Sequence, residues 1–207
     1  MWDLWRSELR NKRFVFHCVV TLIGVFAFAF TLPYFFTEIL LPKPGVQVND
    51  FILNLFTPTT WSVAIFVLLY LSTVLSIAFN FTNPRTVLIA FQVYIVVNFM
   101  RIATMYCFTL EAPQGIIPLM DPVTASLAYG QPVYVKDLFF SGHVSTLCIF
   151  FFIEPRKFLK LFFLITTALV AVMLAWQRVH YSFDIIVAPI ITWAVFVFFK
   201  WFDARFV

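Results

Sequence analysis

Charge is scarce in this sequence. Of its 207 residues 12% are charged, against about 25% in an ordinary soluble domain, and 62% are hydrophobic, against roughly 45–50%. So few charges cannot cover so apolar a chain in water, which excludes a soluble domain, a disordered chain and a nucleic-acid binder. Cysteine is nearly missing too. Cys18, Cys107 and Cys148 make an odd count, contain no C-x-x-C pair and all lie in apolar stretches, so neither a disulfide framework nor a zinc site is expected. No Walker loop, dinucleotide fingerprint or G-x-S-x-G elbow occurs. What is present in excess is phenylalanine, 29 residues of it, and a mean hydropathy of +0.95. The chain reads as an integral membrane protein.

A helix that crosses a bilayer needs about 20 mostly apolar residues. Six segments qualify: 14–36, 60–80, 86–108, 138–153, 158–176 and 183–201, the fourth being short and polar at its start. The fold class expected is therefore all-α and polytopic, with six transmembrane helices. The first segment is longer than a signal-peptide core and no small-residue cleavage site follows it, so it is read as a span. Before it, Trp2, Leu4, Trp5 and Leu9 interleave with Arg6, Arg10, Lys12 and Arg13, the pattern of an amphipathic helix lying on an anionic membrane surface. The chain thus divides into an interfacial segment, 1–13, and a six-helix catalytic domain, 14–207.

Basic residues orient the spans. Ten fall on the side that holds both termini and loops 81–85 and 154–157; three, Lys43, Lys136 and Arg178, fall on the other side, and Arg101 lies inside the third segment. The asymmetry predicts cytoplasmic termini. The two long loops on the opposite side are punctuated by Pro42, Pro44, Gly45 and Pro58 in one and by Pro113, Gly115, Pro118, Pro122, Gly130 and Pro132 in the other. The second, over 109–137, could cover a site.

Ionisable groups within spans are costly and mark function. Here they collect at one level, on the exoplasmic side. Arg101 and Tyr106 close the third segment; Asp137, Ser141 and His143 open the fourth; Arg178, His180, Tyr181 and Asp184 open the sixth. His143 lies only about 8 Å along its segment, at headgroup depth. A transporter would instead set its polar groups at midplane on broken helices and show a repeat. His180 and Asp184 share a helix face at i and i+4, so the carboxylate can hold one imidazole nitrogen and leave the other as a free lone pair, a nucleophile or base. Taken alone, the pair is as well explained as a histidine satisfied by its neighbour. Ser141-Gly142-His143 adds a glycine that admits backbone N–H groups to an anion, a hydroxyl donor and a proton donor; alone it too is weak. Together, two His and one Asp on two spans, with cations beside them, form a candidate site. His17, at the other end of the first segment, is read as structural. Zinc or magnesium would need three or more convergent ligands. The two His with Asp184 would reach that number, but the Ser-Gly-His context and adjacent Arg suit an oxyanion better, so no metal and no cofactor is expected.

The arrangement resembles the type 2 phosphatidic acid phosphatase superfamily, and more closely its sphingomyelin synthase-like branch. That branch carries C-G-D-x3-S-G-H-T, which Lys136-Asp137-Leu138-Phe139-Phe140-Ser141-Gly142-His143-Val144 matches at Asp, Ser, Gly and His; it carries H-Y-T-x-D-V, matched by His180-Tyr181-Ser182-Phe183-Asp184-Ile185; and its R-x-x-T-x-Y is similar to Arg101-Ile102-Ala103-Thr104-Met105-Tyr106. Thr109-Leu110-Glu111-Ala112-Pro113 is also similar. Lys136 and Val144 depart from the family's Gly and Thr, Pro189 stands where a Tyr is usual, and Leu174 occupies the position of the arginine found in the ordinary phosphatase branch.

The resemblance implies a phosphohistidine mechanism without metal. His180, oriented by Asp184, is the nucleophile; His143 is the general acid and then base; Arg101, Tyr106, Lys136, Asp137, Ser141, Gly142, Arg178 and Tyr181 are candidates for binding substrate phosphate. The partners implied are a phospholipid donor and a lipid-alcohol acceptor such as ceramide, or a lipid phosphate, within a membrane; a homo-oligomer stays open. Headgroup transfer is the first expectation, hydrolysis of a lipid phosphate the second and non-catalytic lipid binding the third.

Overall fold

The computed structural model describes residues 2–122 and 135–206. Among them are seven α-helices and no strand: α1 Trp2–Glu8, α2 Lys12–Tyr34, α3 Ser62–Asn80, α4 Pro84–Cys107, α5 Gly142–Ile153, α6 Lys157–Trp176 and α7 Ser182–Phe206. α2 runs on through a π-helical stretch, Phe35–Leu40.

Local chemistry sets the starts of α2 and α4. Asn11 accepts from the Arg13 amide at 3.0 Å and caps α2. Asn83 caps α4 through the Thr86 amide at 3.2 Å, with Pro84 at the first helical position, where its missing N–H costs nothing. α1 is docked as well as amphipathic: the Trp5 indole donates to the Phe81 carbonyl at 2.8 Å, and Glu8 pairs with Arg85 at 2.8 Å.

Among the described residues five helices are long and apolar enough to cross a membrane: Lys12–Leu40, Ser62–Asn80, Pro84–Cys107, Lys157–Trp176 and Ser182–Phe206. Large apolar side chains stand exposed along them, including Phe30 at 78%, Phe158 at 80% and Trp193 at 54%. That much exposed apolar surface is stable against lipid and not against water.

The fourth expected span, 138–153, differs from the sequence reading. Its helix starts at Gly142 and has 12 residues, about 18 Å of rise against a hydrocarbon core near 30 Å. The backbone before it is satisfied from outside rather than by a helical turn. Thr104 donates to the Phe139 carbonyl at 3.0 Å, Arg101 donates to the Phe140 carbonyl at 2.7 Å, and the Ser141 amide donates to the Asp184 carbonyl at 3.2 Å. Ser141 then caps α5, its hydroxyl oxygen 3.5 Å from the Val144 amide. α5 is the hub of the bundle. It packs on α3, α4, α6 and α7, and Val144, Leu147, Cys148 and Ile149 join Ile65, Val93, Val97, Val170 and Leu174 in the core.

One end of the bundle holds α1 and the turns 81–83 and 154–156. There the buried Glu154 accepts from Asn80 at 2.9 Å and pairs with Arg156 at 3.0 Å. The other end holds the loops 41–61 and 177–181 and the described parts of 109–137. The loop proposed as a cover has its middle, Gly130 and Pro132 included, outside the described residues.

Candidate active site

α6 ends in a sharp turn that aims the next helix back into the bundle. The Gln177 and Arg178 amides close the last turn on Met173 and Ala175, and Arg178 takes the left-handed conformation, φ 58°. That conformation disfavours a side chain with a Cβ. Arg178 is held there by its guanidinium, which donates to the carbonyls of Gln114 at 2.6 Å, Phe56 at 3.1 Å and Leu53 at 3.3 Å.

The turn delivers His180 and Asp184 to the interior, 1% and 0% exposed. The Asp184 Oδ2 atom lies 3.5 Å from His180 Nδ1 and accepts the Tyr181 amide at 3.1 Å. His180 Nδ1 and Asp184 Oδ1 have no hydrogen-bond partner. A buried carboxylate facing an imidazole at that distance favours a proton on Nδ1 and leaves Nε2 as the free lone pair. Catalytic hydrogen bonds are often long in unliganded enzymes and tighten around substrate.

His143, in the first turn of α5, faces this pair. Its ring centre is 6.4 Å from that of His180, at an interplanar angle of 64°, and Phe66 of α3 packs edge-on against it at 5.8 Å. Two imidazoles at that separation can both reach one phosphoryl group.

Arg101, 7% exposed, closes the side towards α4. It donates to the Phe140 carbonyl at 2.7 Å and to Asn98 Oδ1 at 3.1 Å, and pairs with Asp137. Gly142 makes this approach possible. A Cβ there would lie 2.5 Å from Arg101 Nη1 and 2.7 Å from Cζ, closer than real Cβ contacts come. Arg101, Asp137, Ser141, Gly142, His143, His180 and Asp184 thus meet at one place.

Four other sequence candidates sit differently. Tyr106 is 55% exposed, with the Lys43 ammonium 4.2 Å above its ring. Lys136 pairs with Glu111 at 2.8 Å and donates to the carbonyls of Lys43 at 2.9 Å and Leu41 at 3.3 Å. Arg178 holds carbonyls, as above. Tyr181 is fully buried; its hydroxyl donates to the Glu111 carbonyl at 2.9 Å and accepts from the Val48 amide at 3.2 Å. These side chains tie the loops together at this end of the bundle.

The loop acids respond to those ties. Lys136 first, and then the Gly45 amide, hold Glu111 below the usual carboxylate range. Burial alone would raise Asp50, but the amide and hydroxyl of Ser182, with the Leu53 and Ile52 amides, outweigh it and hold Asp50 low. Sequence reasoning passed over Asp50, Asn98 and Gln177. Gln177 is fully buried and takes the Trp61 amide at 2.7 Å while donating to Ser62 at 2.9 Å. A polar residue at a predicted helix end was the signal available for Gln177; Asn98 lay one turn before Arg101 on the same helix. Among the described residues no group of three or more His, Cys, Asp or Glu converges in a metal-holding arrangement.

Residues 136–202, about a third of the chain, match the family described as PAP2 superfamily C-terminal. The match supports the PAP2 superfamily and a lipid phosphatase or phosphotransferase type of enzyme, without distinguishing a branch or a substrate. No curated protein matches the chain.

Proposed function

We propose that the chain is an integral-membrane lipid phosphotransferase, with six crossings, that moves a phosphorylated headgroup from a phospholipid to a lipid alcohol. The observation that carries the reading is the buried His180–Asp184 pair with His143 facing it at 6.4 Å between ring centres.

In the first step His180 Nε2 attacks phosphorus and forms the N–P bond. The P–O bond to diacylglycerol breaks, and His143 gives its proton to the departing oxygen. In the second step His143 takes the proton of an acceptor hydroxyl, whose oxygen attacks phosphorus while the N–P bond breaks. Asp184 stabilises the imidazolium character of His180, and Arg101 with the α5 N-terminus stabilises charge on the phosphoryl oxygens.

Two features support transfer over hydrolysis. Leu174, where a phosphatase arginine would stand, is fully buried in the apolar core. Lys136, whose charge would suit a phosphomonoester, is matched by Glu111. The excess of basic residues at the end that holds both termini supports cytoplasmic termini and an exoplasmic site.

Purified enzyme in lipid, given a headgroup-labelled phosphodiester lipid and a lipid alcohol, should pass label mainly to the alcohol. Rapid release of inorganic phosphate from phosphatidic acid, with no acceptor lipid labelled, would replace this reading with a hydrolase. For orientation, Asn54→Cys in a chain without other cysteines should react with an impermeant maleimide from the exoplasmic side; labelling from the cytoplasmic side alone would invert the topology.

A further inference from the structure

α7 is capped only in part from its own sequence, where Asp184 Oδ2 accepts the Tyr181 amide at 3.1 Å. Tyr181 precedes it, and the Tyr181 hydroxyl is spent on the Glu111 carbonyl and the Val48 amide. The first amide of the helix, Ser182 N–H, donates instead to Asp50 Oδ2 at 2.6 Å, and the Ser182 hydroxyl donates to the same oxygen at 2.7 Å. The partners are 132 residues apart in the chain. The other oxygen, Oδ1, accepts the Ile52 amide at 3.0 Å and the Leu53 amide at 3.3 Å. One carboxylate therefore starts two elements, the short 3-10 turn Leu53–Leu55 and the helix whose first turn carries Asp184. Asp50 lies outside the segment 136–202 that carries the family match.

All four donors point at oxygen, and the job needs two acceptor oxygens on one planar group. Asparagine keeps the size but turns one oxygen into an NH2, which would face N–H donors at one of the two elements. Serine or alanine loses one or both. A carboxylate at a helix N-terminus is also favoured by the aligned peptide dipoles. Neighbouring bonds join the same two segments in both directions: the Val48 amide donates to the Tyr181 hydroxyl, and Arg178 donates to the carbonyls of Leu53 and Phe56, so the loop and the turn before α7 are braced at several points.

We propose that Asp50 is a positioning residue of the active site: by capping α7 from the first long loop it fixes Ser182, and through that turn the Asp184 carboxylate that orients His180. This inference rests on the reading of His180 as the nucleophile, and it assigns to the first loop a part in setting the angle of attack. A displacement of about 1 Å in a reacting group can cost on the order of a hundredfold in rate.

The test uses the full chain, 15N-labelled at its three histidines in detergent micelles, and the same preparations for kinetics. In Asp50→Asn the ring resonances of His180 should shift while those of His17, at the other end of the bundle, stay in place. On whichever substrate the wild type turns over, kcat should fall roughly ten- to a hundredfold with KM changed less than about twofold. Ser182→Ala keeps the amide donor and should move the same resonances in the same direction by less; added to Asp50→Asn it should cost nothing further. It also serves should Asp50→Asn fail to accumulate. His180 resonances identical to wild type in these variants would overturn the proposal. So would a shift of all three histidines together with a kcat loss that only tracks loss of folded protein. A wild type inert towards both a phosphodiester lipid and phosphatidic acid would defeat the functional reading, while the His180 resonances would still decide whether Asp50 positions that ring.

Discussion

The histidine pair and the loop 41–61 sit side by side at one end of the bundle, and they use their polar atoms differently. In the pair, groups are left over: His180 Nδ1 has Asp184 at 3.5 Å and nothing nearer, and Asp184 Oδ1 has no partner at all. In the loop, the carboxylates and their partners are spent, although the Trp61 indole N–H stays unpaired. Asp50 accepts four donors, Lys136 joins one carboxylate to two carbonyls, and the Tyr181 hydroxyl both gives and takes. An unsatisfied buried polar atom is costly, and in a pair that faces a second histidine its free capacity is available to a ligand. Saturated groups lower the energy of the resting structure and have nothing to offer a substrate. The cations do not divide this way. Arg178 donates to three backbone carbonyls and keeps a buried Nε without a partner, whereas Arg101, packed against Gly142 at the α5 N-terminus, is held by the Phe140 carbonyl, Asn98 and Asp137.

The comparison can be broken most decisively at the histidines. His180→Ala and His143→Ala should each remove turnover by at least about 10²–10⁴-fold while the protein still inserts and folds. Near-normal rates in His180→Ala, measured on the labelled phosphodiester lipid, would sink the phosphohistidine proposal. Turnover should be indifferent to chelators; inhibition that a divalent ion reverses would place a metal in the reaction.

Gly142→Ala comes next. The added Cβ cannot coexist with the Arg101 guanidinium where it stands, so Arg101 must shift and its charge leave the phosphoryl position. A loss of roughly tenfold or more in kcat is expected, together with lower thermal stability, because a displaced Arg101 also gives up its bonds to the Phe140 carbonyl, Asn98 and Asp137. Retained activity would show that Arg101 only holds the segment of Asp137 and Phe140 in place.

Tyr181→Phe should act mainly on stability, lowering it by about 1–2 kcal/mol through the two hydrogen bonds it deletes, with a smaller effect on kcat than Gly142→Ala. Thermal unfolding and initial rates on the same sample separate the two. A rate loss as large as that of Gly142→Ala would move Tyr181 from the brace into the reacting site.

The smallest effect is on pH. Asp50 and Glu111 are both held below their ordinary values. A carboxylate with a depressed folded-state pKa adds stability at pH values above its unfolded pKa, and that stability is lost as pH falls through the folded one. A nitroxide on Asn54→Cys should therefore stay immobilised from pH 7 to the ordinary carboxylate range near pH 4 and loosen only on further acidification. Mobility gained already near pH 6 would mean that neither acid holds the loop.

Much of this could be read from the chain because each signal is local. Apolar runs of about 20 residues mark α2, α3, α4, α6 and α7, and the i, i+4 spacing sets Asp184 on the face of His180 whatever surrounds them. The start of the fourth segment could not be read this way. Residues 138–141 are apolar enough to continue a helix, yet their carbonyls and amides are taken by Thr104, Arg101 and Asp184, all distant in sequence.

The same distinction separates the residues of the site. Composition, the spans and the two histidine motifs follow from the sequence by itself, since hydrophobicity and helical periodicity act over a few turns. Which cation faces the histidines, which tyrosine is a pin and which aspartate caps α7 were decided by the tertiary structure. Lys136, Arg178 and Arg101 carry the same charge in the sequence. Only folding determines whether that charge meets a carboxylate, a row of backbone carbonyls or the mouth of a helix, because hydrogen bonds are directional and act over about 3 Å, while their partners here lie 3 to 133 residues apart.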